Sequence, residues 1–389
     1  MRIKKEVLFI IPSLEGGGAE KALIMLLRHL NRKKYEIDLC VVEKRGFYLD
    51  QVPGHVNMFH LFTNKIVRKT ITGLHRRFNI SWPFRKLTRH IVTSKYDVAV
   101  CFLDSIFTDM LLFVDDRVCK SATVLHSSYR TNNNWYKFIK GEYRKRLQKR
   151  YRKMDTIIGV SDDAIDEFTS IFSGYENLCI IHNPIDRKGI IKKSKAFDVG
   201  FSEEPVNIVA VGNLLPVKGY RNLIKACALL KGSGFNFKLR ILGQGPLKKA
   251  LNKQIYRMGV VNFVSLLGFK ENPYPYMAQS DIFVMSSFSE ALPTALCEAM
   301  ILGKPVVVTN CSGCRSLVGN GAYGIMTKQT PESLFNGLKI LMADSALRKD
   351  FSKKSSQRSK QFNIKHAVEK YESVLDQQPV TDMLIHEVF

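Results

Sequence analysis

A pair of doubly wound α/β units is what this 389-residue sequence predicts. Apolar runs of strand length alternate with amphipathic helical stretches, and the whole rhythm occurs twice. The first strand of each half runs into a glycine turn and then a helix, and a polar, lysine-rich stretch at 187–205 separates the halves. The length suits two domains of ~100–200 residues each. A hydrophobic content of 45% supplies a sizeable core.

Taken in order, residues 6–12 carry the unbroken apolar run of a strand buried on both faces. Its apolar part is only Val7 to Ile11 and a glycine-rich turn follows, so it reads as a first strand and not as a secretory signal. A helix at 21–30 sets Ala22, Leu23, Met25, Leu26 and Leu30 on one side. Strands follow at 37–42, 97–102, 122–125 and 156–160, and Ser161 is placed to cap a helix over 162–168. Cys179-Ile180-Ile181-His182-Asn183-Pro184 closes this half. The second half gives strand 207–211, helix 219–230, strand 237–242 and helix 246–258. Strands at 261–266, 281–285 and 306–309 follow. The expected domains are 1–185 and 186–365, with a helix and tail at 366–389 packing back toward the first.

No window approaches the ~18–20 apolar residues of a membrane-spanning helix. Of eight cysteines, Cys40, Cys101, Cys179 and Cys227 sit in apolar runs and read as small hydrophobes. Cys311-Ser312-Gly313-Cys314 is a lone CxxC without a second pair or a nearby histidine. It reads as a turn with two thiols rather than a zinc or redox site, and a reducing, cytosolic compartment is the default. The net charge of +24 is uneven. Residues 51–96 hold nine Lys/Arg and no Asp or Glu, and residues 137–153 hold nine more against Glu142 alone. Such runs serve nucleic acid, anionic lipid or solubility.

The stretch richest in chemistry is 286–300. Glu290 lies in the loop after a strand, Pro293 marks the start of a helix, and Glu298 lies within it, eight residues on. Two helical carboxylates at that spacing would stand ~12 Å apart. Glycoside hydrolysis wants ~5 Å or ~6.5–9.5 Å. The spacing suits one long ligand instead, with one carboxylate at a sugar and the other on a different part. Between them, the N–H groups of Leu292, Thr294 and Ala295 can hold a negative charge. Polyol, diphosphate and ribose in sequence make a nucleotide sugar.

Other strand-to-helix turns fit phosphate. Gly16-Gly17-Gly18 does so without the GxGxxG spacing, and a plain βα turn reads the same. Gly212-Asn213-Leu214 with Lys218-Gly219 adds a lysine that can neutralise a diphosphate. Gly243-Gln244-Gly245 could approach a planar base or be a tight turn. His126 stands directly after a strand, where ligands of doubly wound sheets bind, unlike His29 and His90 in helical patterns.

Together these motifs resemble the retaining glycosyltransferases of family GT4, which have the GT-B fold. Gly17-Gly18-Ala19-Glu20, His126-Ser127, Asn183-Pro184-Ile185-Asp186, Lys218-Gly219, Gly243-Gln244-Gly245 and Gly303-Lys304-Pro305 contribute. The E-x7-E pair, Glu290 and Glu298, is the most specific. The resemblance implies two Rossmann-like domains facing each other across a cleft. It also implies a transferase moving a sugar from a nucleotide donor, UDP-linked by expectation, with retention of configuration. Glu290 would contact the donor sugar and Glu298 the ribose. Lys218, Asn213 and the backbone of Leu292, Pro293 and Thr294 would meet the diphosphate. His126 would sit at the catalytic centre, and Gly17 and Gly18 would close over donor and acceptor. No metal or other cofactor is implied, and the sequence has no Asp-x-Asp motif.

Three positions depart from the family pattern: Asn213 for its arginine, Ala291 for a glycine, and Ser316 for a glutamate. The loss at Asn213 removes a cation from the diphosphate. Residues 64–90 mix cations with Ile66, Val67, Ile71, Leu74, Phe78, Trp82, Phe84 and Leu87, an amphipathic pattern suited to a headgroup interface. The resemblance implies a glycan acceptor, polyprenyl-diphosphate-linked, and with this pattern the expectation is a cytoplasmic enzyme held on the inner, anionic face of the membrane. A soluble sugar acceptor is the alternative. A nucleic-acid-binding protein is suggested by charge alone and leaves the glutamates unexplained, so no nucleic-acid partner is expected.

Overall fold

The computed structural model describes residues 4–126 and 141–378; Ser127, Lys137, Lys140 and the tail from 379 onward lie outside the described residues. Among the described residues the chain forms two units, one built from the residues up to Pro184 together with those from Ile364, the other from Ile185–Asn363.

The first unit opens β1 (Lys5–Ile11), α1 (Gly18–His29), β2 (Tyr35–Glu43) and β3 (Val56–Phe62). Helices α2 (Lys65–Phe78) and α3 (Trp82–Ile91) lead to β4 (Tyr96–Cys101), α4 (Asp109–Phe113) and β5 (Val118–Leu125). Then come α5 (Gly141–Tyr151), β6 (Thr156–Gly159), α6 (Asp162–Ile171) and β7 (Leu178–Ile180). All seven strands are parallel, in the order β3-β2-β1-β4-β5-β6-β7. β1 is central, with Phe9 opposite Leu39 on one side and Val100 on the other. That position explains its sequence, because a parallel strand covered on both faces has no solvent side for a polar residue. Ser161 caps α6, accepting from the Ala164 N–H at 3.2 Å.

The basic runs divide once folded. On α2 and α3, Phe84 is fully buried in a cluster of edge-on rings with Phe107 and Phe113, and Ile71 and Leu87 pack against the same core. Ile66, Val67, Phe78, Ile80 and Trp82 remain exposed. Of the cations in this run, Arg68 reaches Glu43 at 3.0 Å and Arg89 forms a fork on Asp116 at 2.6 and 2.8 Å. The second run is less free for phosphate than its composition suggests. Arg150 is buried and its guanidinium holds Asp109 at 2.6 and 3.0 Å. Arg144 donates to the Ile171 carbonyl, and Arg146 to the carbonyl of His75. A helix that must pack one face on a core turns some of its charges inward, and those become cross-links.

The second unit begins with α7 (Arg187–Ser194), capped by the Asp186 carboxylate on the Gly189 N–H at 2.9 Å. The stretch 187–205, which reads from its lysines as a linker with some surface structure, opens with a helix whose Ile190 is buried with Ile185 in the second unit's core. Next come β8 (Val206–Val211), α8 (Tyr220–Gly232), β9 (Phe237–Leu242), α9 (Lys248–Arg257) and β10 (Val264–Gly268). These are followed by α10 (Tyr274–Ala278), β11 (Ile282–Met285), α11 (Thr294–Ile301), β12 (Val306–Thr309) and α12 (Ser312–Leu317). β13 (Ile325–Thr327), α13 (Pro331–Ala343) and α14 (Ser345–Arg358) complete the unit. The strand order is β10-β9-β8-β11-β12-β13, again all parallel.

The final helix, α15 (Ile364–Leu375), belongs to the first unit. Tyr371 stacks on Phe102 at 5.8 Å. The Tyr35 hydroxyl donates to Asp376 at 3.0 Å, and Lys34 pairs with Glu372 at 3.4 Å.

Candidate active site

In each sheet the strand order reverses between the first strand and the fourth, at β1/β4 and at β8/β11. Ligands of open α/β sheets bind beyond the carboxyl ends of the strands at such a reversal, where adjacent loops diverge and leave a crevice. In the second unit those loops are 212–219 after β8 and 286–293 after β11.

The two loops are tied together. The Ser286 hydroxyl donates to the Lys218 carbonyl at 2.8 Å, and the Phe288 N–H to the Val217 carbonyl at 2.7 Å. Gly219 has φ +65°, and a β-carbon there would fall 1.9 Å from the Ser286 carbonyl oxygen, so only glycine allows this approach. The approach brings Lys218, in a 3-10 turn just before α8, onto Glu290: Nζ lies 2.6 Å from Oε1. The Ser287 hydroxyl donates to the same oxygen at 2.6 Å. The pair is largely shielded, with side-chain exposures of 22% for Lys218 and 11% for Glu290.

Glu290 is also held from behind. Its carbonyl accepts from the Gly313 N–H at 2.9 Å and the Ser312 hydroxyl at 3.0 Å, at the start of α12. A β-carbon on Gly313 would meet the Ala291 carbonyl oxygen at 2.4 Å. The flanking Cys311 and Cys314 are buried free thiols, and the hydrogen bond with Cys311, with burial, pushes the Cys314 thiol up. The CxxC is thus the turn that seats Glu290. Gln329 pins the loop from the other side, donating to the carbonyls of Phe288 at 2.9 Å and Asn310 at 3.1 Å.

Pro293 is the N-cap residue of α11 and Thr294 its first helical residue. The first-turn N–H groups of Thr294 and Ala295 have no intrahelical acceptor, and the helix has no side-chain cap. Leu292 is half-buried beside them. Glu298 is 5% exposed and its Oε1 accepts from the Tyr274 hydroxyl at 3.2 Å. Asn213 is half-buried on the loop after β8, its carbonyl accepting from the Leu215 N–H at 2.8 Å. The Gly243-Gln244-Gly245 turn leans on that loop, with the Leu214 N–H donating to the Gln244 carbonyl at 2.8 Å.

In the first unit, Gly17 is the N-cap residue of α1, with no side-chain cap, and Gly18 is its first helical residue. Burial pushes the nearby Glu20 carboxyl above its usual range. His126 follows β5; its ring lies 5.1 Å from that of Phe102, and Nε2 is sealed from solvent with no hydrogen-bond partner among the described residues. Burial pushes its pKa down to about 3, so the imidazole is neutral near pH 7.

Sequence reasoning marked Lys218 and Glu290 separately, and the fold joins them. It missed Ser287, Ser312, Gly313 and Gln329. Three of these lie inside stretches already singled out, yet which oxygen they bind depends on a loop approach that no spacing encodes.

The family model for "Glycosyltransferase Family 4" matches residues 16–188, and that for "Glycosyl transferases group 1" matches residues 191–358. The chain belongs to the GT4-type glycosyltransferases. A similar protein of Campylobacter jejuni is N-acetylgalactosamine-N,N'-diacetylbacillosaminyl-diphospho-undecaprenol 4-alpha-N-acetylgalactosaminyltransferase. It is 29% identical over 362 residues, covering 91% of this chain and 94% of the relative. A second transferase of that organism acts on GalNAc-alpha-(1->4)-GalNAc-alpha-(1->3)-diNAcBac-PP-undecaprenol. It is 25% identical over 371 residues, covering 94% of this chain and 97% of the relative. Among solved structures, HepE of Anabaena in complex with UDP and glucose superposes with a TM-score of 0.72 at 18% identity, over 96% of this chain and all of that one. Sucrose-phosphate synthase of Thermosynechococcus elongatus gives a TM-score of 0.78 at 14% identity, over 96% of this chain and 99% of that one. This GT4-type enzyme therefore has the GT-B fold, two Rossmann-like units, and it is a glycosyltransferase.

Proposed function

We propose that this glycosyltransferase moves a sugar from a UDP-sugar donor onto a polyprenyl-diphosphate-linked glycan, with retention of configuration and without a metal. The observation that carries the reading is the Lys218–Glu290 contact of 2.6 Å at the β8/β11 reversal. It sets a cation for a diphosphate beside a carboxylate for a sugar. Lys218 and the N–H groups of Thr294 and Ala295, with the backbone of Leu292 and Pro293 and the loop at Asn213, receive the diphosphate and stabilise it as it leaves. Glu290 accepts from a hydroxyl of the donor sugar, and Glu298 takes the ribose hydroxyls. In the first unit, His126, neutral near pH 7, and the backbone at Gly17 and Gly18 are the residues this reading assigns to the reacting sugar and the acceptor.

The named substrates of the Campylobacter relatives, carried on diphospho-undecaprenol, support a lipid-linked acceptor, and the UDP held by HepE supports the donor. Exposed Ile66, Phe78 and Trp82 stand on helices that also carry exposed Lys65, Lys69, Arg76, Arg77, Arg85 and Lys86. None of these six cations is ion-paired among the described residues. Apolar side chains among free cations suit an anionic interface at the inner membrane face, at about 1 kcal/mol per cation.

The test uses the purified full chain. A panel of UDP-glucose, UDP-galactose and their N-acetyl analogues is screened for thermal stabilisation, then for transfer to a polyprenyl-diphosphate glycan, with and without EDTA. One donor at 100 times its dissociation constant should add about 2.7 kcal/mol. Transfer should survive EDTA, and the chain should sediment with phosphatidylglycerol vesicles at low salt. Stabilisation by no nucleotide sugar would overturn the reading; transfer to a free sugar in preference to the lipid-linked one would replace the acceptor.

A further inference from the structure

Glu290 has two carboxylate oxygens, and the fold treats them differently. Oε1 accepts from both Lys218 Nζ and Ser287 Oγ, each at 2.6 Å, whereas Oε2 has no hydrogen-bond partner among the described residues. Ser287 is 1% exposed, in a loop whose backbone is fixed on three sides. Thr309 donates its hydroxyl to the Ser287 carbonyl, the Phe288 N–H is bonded to Val217, and Gln329 holds the Phe288 carbonyl. The serine therefore cannot follow a moving partner, whereas Lys218 sits on a flexible four-carbon stem. An ammonium shared between a carboxylate and an incoming diphosphate, with its higher charge, is drawn toward the latter, and its grip on Glu290 loosens as donor binds.

We infer that Ser287 is a positioning residue for transfer. Its hydroxyl keeps Oε1 in place while Lys218 engages the diphosphate, so that Oε2 stays the oxygen presented to the donor sugar. This rests on the reading that Glu290 meets that sugar. A carboxylate held at one oxygen by a rigid neutral donor keeps its orientation through a change of charge beside it. Held by Lys218 alone, it would turn with the lysine and lose the sugar contact at the moment of binding.

The test separates the sugar contact from the nucleotide contact. Ser287→Ala removes the hydroxyl, and Ser287→Cys fills nearly the same volume with a poor donor, so a cavity effect would appear in the first alone. UDP alone and the best UDP-sugar of the panel are titrated into wild type, both variants, Glu290→Ala and the double variant Ser287→Ala/Glu290→Ala. Both serine variants should bind UDP within about twofold of wild type. Their kcat/KM for the UDP-sugar should fall about tenfold or more, the scale of a lost hydrogen bond to a charged group. On Glu290→Ala the serine change should cost nothing further, since nothing is left to position. A full, additive loss in the double variant, or an equal loss of UDP binding, would overturn the inference and leave the donor-site reading standing. Failure of wild type to bind any UDP-sugar would remove both.

Discussion

Two shielded ion pairs, one in each unit, teach opposite lessons. In the first unit Asp109 is closed on every side: Arg150 forks onto both its oxygens at 2.6 and 3.0 Å, and His75 Nε2 lies 2.7 Å from Oδ2. The network runs outward to Ser81, 3.0 Å from His75 Nδ1, and to Asp104, 3.9 Å from Arg150. Burial would raise the Asp109 carboxyl, but His75 and Arg150 outweigh it and hold the pKa at about 2. In the second unit Glu290 has one oxygen gripped twice and the other unpartnered, and its lysine is partly open to solvent. The closed pair joins α2, α4 and α5, as a structural cross-link does. The open one has acceptor capacity to spare, as a binding site must.

Breaking each pair should separate stability from activity. The largest effect is expected at Arg150→Met, which leaves Asp109 buried and short of charge. Removing one partner of a buried pair costs about 3–5 kcal/mol, and at about 2–4 °C per kcal/mol for a domain of this size the melting temperature should drop by roughly 10 °C. UDP affinity of the folded fraction should hold within about twofold. Lys218→Met should do the reverse. Glu290 keeps the Ser287 hydroxyl and some solvent, so stability should change by less than about 1 kcal/mol. UDP affinity, followed by calorimetric titration, should fall at least tenfold, with a weaker salt dependence. If Lys218→Met melts as early as Arg150→Met, the open pair is structural too and the contrast fails.

Legibility in the sequence followed the same divide. Central strands were readable because burial on both faces leaves one message, an unbroken apolar run, and β1, β9 and β12 stand within a residue or so of where that run puts them. β3 is not legible as a strand because Val56–Phe62 reads VNMFHLF, with polar Asn57 and His60 interrupting a strand at the sheet edge. β13 is only three residues long. At 187–205 the lysines suggest a linker, whereas the signal that matters is Asp186 as a cap with Ile190 behind it. At the site, Glu290 and Lys218 were legible as residue types at the ends of apolar runs. Their contact, across 72 residues, depends on the Gly219 approach to Ser286. In the basic runs, sequence could count cations but not tell Arg150, turned inward, from Lys149, which is exposed.

His126 sharpens the comparison with the smallest and most specific effect. It shares with Asp109 a lowered pKa, but from burial alone, with no counter-charge. The consequences for acid stability then share a sign and differ in range. Asp109, lowered to about 2, contributes stability that is present above its unfolded value near 3.9 and is lost as pH falls toward 2. His126 binds a proton in the unfolded chain below about pH 6.5 but resists it in the folded chain down to about 3. Stability should therefore decline through that higher window. His126→Phe keeps an aromatic ring against Phe102 and removes the titrating group. Urea unfolding at pH 7, 6, 5 and 4 should show the variant gaining on wild type by up to about 1.4 kcal/mol per pH unit once below 6.5. Arg150→Met should not copy this result: without the guanidinium, burial raises the Asp109 carboxyl and moves its titration up toward that window. Parallel curves for wild type and His126→Phe would mean that the imidazole finds a proton-accepting partner, and that His126 belongs with the closed groups rather than the open ones.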